Sequence, residues 1–73
     1  MLWRYYEPER THELRLHGWE ASVTVDLRWT VRRIGPSPHG PTVRDAVIVA
    51  HGVGETLDDA EAQAEAVIVR GGR

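Results

Sequence analysis

Residues 19–31, WEASVTVDLRWTV, alternate strictly between apolar and polar side chains. Trp19, Ala21, Val23, Val25, Leu27, Trp29 and Val31 share one parity, while Glu20, Ser22, Thr24, Asp26, Arg28 and Thr30 share the other. Successive side chains of a strand point to opposite faces, so this period of two predicts one long strand over about 19–33 with its odd face in a core. Thirteen residues at about 3.3 Å each would span roughly 43 Å, too long for a flat strand in a chain of 73 residues. The strand is therefore expected to curl round whatever covers its odd face.

Upstream, Leu14 and Leu16 are even, so the phase breaks at His17-Gly18, where glycine can take the positive φ of a tight hairpin. A strand is expected over 11–17 and a turn over 17–19. In EPER, residues 7–10, Pro8 suits the second position of a type I turn, which makes LWRYY, residues 2–6, a short first strand. Downstream, GPSPHGP, residues 35–41, holds three prolines and two glycines and is expected to be an ordered, projecting loop. TVRDAVIVAH, residues 42–51, is apolar on both parities, as in an inner strand or one whose second face meets a partner.

A glycine turn, GVGE, then leads to the only expected helix. Thr56 is a good N-cap, Asp59 can reach back in the manner of a capping box, and Asp58 and Asp59 suit the positive end of the helix dipole. Leu57, Ala60, Ala64, Val67 and Ile68 form an apolar stripe at helical spacing, and Gly71-Gly72 end it. Leu57, Ala60, Ala64 and Ile68 are the expected counterpart of the odd strand face. Together these signals predict an α+β fold in one domain, 1–73: an antiparallel β-meander of three to four strands with one C-terminal helix packed across one face.

The chain is near the lower size limit for a core without disulfides or metal, which leaves a homodimer or a tight complex open. Cysteine is absent, so thiol catalysis, thiolate metal sites and disulfides are excluded. The longest apolar run, Ala46–Ala50, is too short for a membrane helix, and MLWRYYEPER has no apolar secretion core. A soluble cytoplasmic protein with no membrane partner is expected. All nine basic residues are arginine, six of them before residue 34, against six acids after it, for a net charge of −2. That balance argues against nonspecific binding to nucleic acid, which needs a basic patch.

His12, His17, His39 and His51 lack the spacing of a metal site, Ser22 and Ser37 lack a nucleophile elbow, and HGVGET lacks the GK[ST] ending of a phosphate loop. No cofactor, metal or catalytic residue is expected, and the chain does not read as an enzyme. Trp19 and Trp29 share the parity of the core, whereas Trp3, Tyr5 and Tyr6 are either an end-cap of the core or part of an interface. On the helix face opposite the apolar stripe, Asp58, Glu61 and Glu65, flanked by Glu55, are expected to form an acidic stripe with no Arg or Lys between 45 and 69. Such a stripe is either a solvated face or a docking surface for a basic partner.

GVGETLDDAEAQAEAVI, residues 52–68, resembles the end of the HicB-type antitoxin domain, in which a glycine turn precedes a helix of the form T-L-x-x-A-x-x-x-A, here Thr56, Leu57, Ala60 and Ala64. The whole chain is similar in size, architecture and acidity to small phage-encoded sheet-plus-helix proteins of the anti-CRISPR inhibitor type. That likeness implies a viral, non-enzymatic inhibitor that binds a CRISPR effector complex in the host cytoplasm and blocks target DNA binding. Glu55, Asp58, Glu61, Glu65, Trp3, Tyr5 and Tyr6 are the expected partner-binding residues. The alternatives are an antitoxin module neutralising a small basic toxin, or a homodimeric structural protein of a phage or mobile element.

Overall fold

The computed structural model describes residues 2–37 and 40–71. Five strands, β1 (Arg4–Tyr6), β2 (Thr11–Leu16), β3 (Trp19–Val23), β4 (Arg28–Ser37) and β5 (Gly40–Val53), are followed by one helix, α1 (Leu57–Gly71). The strands lie in the sheet in chain order, every neighbouring pair antiparallel. The fold is therefore α+β, an open meander with the C-terminal helix on one face, and it has five strands rather than three to four.

The additional strand comes from the stretch expected to be one. Residues 19–33 turn back on themselves after Val23 instead of curling. Thr24 N donates to Arg28 O at 2.9 Å, Leu27 N donates to Thr24 O at 3.0 Å, and Leu27 takes φ 65°. This is a three-residue hairpin loop closed by a residue in the left-handed region, and the Thr24 hydroxyl also donates to the Asp26 carboxylate. Val25, placed in the core by its parity, is 72% exposed, and Leu27 is only half-buried.

A second correction concerns residues 35–41. β4 continues through Ser37 and β5 starts at Gly40, so most of the expected loop is ribbon, with Pro36 paired to Arg44; Pro38 and His39 lie outside the described residues. Trp19↔Arg33 is the last pair joining β3 to β4. Beyond it Pro36 turns its nitrogen to the side that β3 no longer occupies, where a missing N–H costs no ladder bond. The third correction is β5 itself, which is an edge strand and not an inner one.

The expected turns and the expected helix N-cap are present. Glu7–Arg10 is a turn with Arg10 N donating to Glu7 O at 3.2 Å, and Gly18 takes φ 80° between β2 and β3. Asp59 N donates to Thr56 Oγ1 at 3.0 Å, which makes Thr56 the N-cap. The Asp59 carboxylate reaches one residue further back than a capping box, to Glu55 N at 2.8 Å. The helix extends to Gly71, and Gly72 lies outside the described residues.

Leu14, Trp19, Ala21, Val23, Trp29 and Val31 of the sheet pack against Ala60, Ala64 and Ile68 of α1. The alanines let the backbones approach closely. A Cβ on Gly54, just before the helix, would lie 2.6 Å from Ala60 N, and one on Gly71 would lie 2.6 Å from the Trp19 ring. Trp29 Nε1 donates to Gln63 Oε1 at 2.9 Å, which fixes the middle of the helix over β4.

Candidate functional site

Which face each side chain takes follows from the register. Cross-strand partners share a face, so Tyr5, His12 and buried Val23, in register across β1, β2 and β3, all lie on the face of the sheet that carries the helix. Tyr6, paired with Thr11, lies on the opposite, open face. On α1, positions 60, 64 and 68 point into the core. At 100° per residue, Glu61, Glu65 and Asp58 then fall along one flank rather than opposite the core.

The helix packs over β3, β4 and β5, and that flank is turned towards the side of β1 and β2. Trp3 Nε1 donates to Glu65 Oε1 at 2.9 Å across 62 residues of chain. The Tyr5 and His12 rings are 5.1 Å apart at 54°. Partial burial holds the Glu61 carboxyl above the usual glutamate range; Asp58 and Glu65 push the same way, and His12 opposes them. Trp3, Tyr5, His12, Asp58, Glu61 and Glu65 thus form one patch, with indole, phenol and imidazole beside three carboxylates.

Two expected members stand apart from it. Tyr6 is on the open face, where it lines a shallow groove of about 430 Å³ with Leu2, Arg4, Glu13 and Arg15. Glu55 is exposed before the helix, and its backbone N–H is engaged by Asp59. Asp59 is held below the usual aspartate range by that N–H first and by Gln63 second, so it serves the helix end rather than the patch.

The ion pairs among the described residues run elsewhere. Arg15 reaches Glu13 at 3.3 Å and Glu20 at 3.8 Å, Arg32 reaches Glu20 at 3.9 Å, and Arg28 reaches Asp26 at 3.1 Å, all away from the helix. Arg33 sits 4.7 Å above the Trp19 ring. Among the described residues no arginine pairs with Asp58, Glu61 or Glu65, and no group of three or more His, Asp or Glu side chains could hold a metal ion. No helix of the described residues is long and apolar enough to cross a membrane.

His12 is not among the expected partner-binding residues, although the sequence carries a signal for it. Leu14 and Leu16 set the even positions of β2 towards the core, and His12 is the next even position, beside the edge strand. Gln63, the partner of both Trp29 and Asp59, carried no such signal. Comparison with family models, with curated proteins and with solved structures finds no match for this chain.

Proposed function

We propose that this chain is a non-enzymatic protein-binding inhibitor that docks a basic protein surface on the acidic flank of α1 together with Trp3 and Tyr5. The observation that carries the reading is the Trp3–Glu65 hydrogen bond, which fixes β1 beside three carboxylates that no arginine among the described residues neutralises. Fixed carboxylates close together repel one another, and an incoming cationic surface relieves that repulsion. The neighbouring rings supply the buried aromatic contact area typical of binding hot spots.

The proposed target is a CRISPR effector complex, whose nucleic-acid path is a basic surface of the required kind, and the proposed effect is to exclude target DNA from it. Size, the sheet-plus-helix architecture and the acidity of the chain support that choice. Asp58→Arg with Glu61→Arg, which spares the Trp3–Glu65 bond, is expected to abolish salt-dependent binding to a purified effector complex while leaving circular dichroism unchanged. Undiminished binding by the double variant would remove the acidic flank from the interface. Failure of the wild-type chain to bind any effector complex, together with capture of a small basic ribonuclease, would transfer the same surface to the antitoxin role.

A further inference from the structure

β5 is the last strand of the sheet, and its outer edge lies apart from the acidic flank. Ile34 N donates to Gly18 O and Thr24 N to Arg28 O, each at 2.9 Å. Alternate residues of an antiparallel strand turn their backbone groups to opposite sides. Arg28, Thr30, Arg32 and Ile34 therefore face β3, whereas Trp29, Val31, Arg33 and Gly35 face β5. The β5 partners of that second set, Gly52, Ala50, Val47 and Asp45, use their N–H and C=O groups inward. Ala46, Ile48, His51 and Val53 turn theirs outward.

Between these groups β5 carries one extra residue, Val49, because Ala50 pairs with Val31 and Ile48 with Arg32. This bulge shifts the phase of the edge, so a regular extended peptide adding to it would fall out of register at Val49. A second copy of the same edge would not. The outward set is symmetric about the Val49–Ala50 peptide: with two β5 strands antiparallel, Ile48 meets His51 of the second copy, Ala46 meets Val53 of the second copy, and the two bulges oppose each other. The residues from Ala46 to Val53 include no Arg, Lys, Asp, Glu or Pro, the features that usually protect a sheet edge. Ile48 and Val53 are 56% and 63% exposed in the single chain.

We infer that two copies of this chain join through β5 in that register, merging two five-stranded sheets into one across a two-fold axis. The contact is isologous and consumes the edge that makes it, so assembly stops at the dimer. Ile48 and His51 are three residues apart in one chain, about 10 Å along a strand, yet directly opposed across the axis at about 5.5 Å between Cα atoms, within the range a disulfide bridges.

The chain has no cysteine of its own, so engineered thiols give a clean readout. Light scattering of the full chain is expected to give twice the single-chain mass of 8.2 kDa. Ile48→Cys combined with His51→Cys is expected to oxidise to a covalent dimer, while Ile48→Cys alone is not. Ile48→Lys, and Ile48→Pro, which removes only an outward N–H, are expected to give monomers with unchanged circular dichroism. A wild-type monomer at every concentration up to the solubility limit overturns the interface. Covalent dimers from Ile48→Cys alone, as readily as from the pair, overturn the register, and so does a folded Ile48→Lys chain that remains dimeric.

Discussion

Gly54→Ala tests whether the turn before α1 packs against the first turn of the helix as closely as described. The added Cβ would lie 2.6 Å from Ala60 N and 2.7 Å from both its Cα and Cβ. Ordinary contact between such atoms begins near 3.5 Å, so the first turn of α1 must retreat by roughly 1 Å. The atoms in the way are mostly backbone and cannot swing aside as a flexible side chain would. Overpacking of this kind costs about 1–3 kcal/mol, and a helix start pulled off its Thr56 cap loses about 1 kcal/mol more. Against a total stability of about 4–11 kcal/mol for 73 residues, that is a large fraction. At about 4–8 °C per kcal/mol for a domain this small, the melting midpoint should fall by roughly 8–32 °C. Thermal unfolding followed by circular dichroism measures it, with Gly35→Ala as the control because nothing lies within 4 Å of its added Cβ. A Gly54→Ala midpoint within about 2 °C of the parent would mean that the turn at Gly54 does not approach the first turn of α1 as tightly as described.

Leu27, at φ 65°, occupies a region that β-branched residues avoid. Leu27→Val should cost about 1 kcal/mol and Leu27→Gly should not; chemical denaturation would refute the hairpin geometry if the order were reversed. Glu61, whose pKa is raised, has the opposite sign of linkage from Asp59, whose pKa is lowered. The contribution of Glu61 is complete below its unfolded pKa and is lost as pH rises through its folded value. Glu61→Gln should therefore raise the midpoint at pH 7 and lose that advantage under acid conditions, whereas Asp59 stabilises at neutral pH and ceases to as pH falls through its depressed value. Melts of Glu61→Gln across the acid range check the sign, and a variant less stable than the parent at pH 7 would contradict it.

How much of this fold can be read from sequence depends on the length of each turn. The loop between β2 and β3 holds two residues, His17 and Gly18, so partners such as Leu14 and Ala21 have opposite parity and the turn shows as a phase break. The loop between β3 and β4 holds three residues, Val25, Asp26 and Leu27, so partners such as Val23 and Trp29 keep the same parity and the alternation runs on unbroken. Periodicity cannot tell that hairpin from one long strand, and Leu27 occupies the position where glycine would have marked the turn. The helix was legible from Thr56 and the alanine stripe because its local signals coincide with its tertiary ones. The joining of Trp3 to Glu65 was not, since a contact across nearly the whole chain leaves no local pattern.

All three tryptophans of the chain abut α1: Trp29 through Gln63, Trp3 through Glu65, and Trp19 against Gly71. Indole emission during refolding therefore reports the arrival of the helix at the sheet rather than the zipping of the strands, which far-UV dichroism follows on its own clock. The chain carries built-in probes at the middle, flank and end of its helix, and replacing them singly with phenylalanine would show which part of α1 settles first.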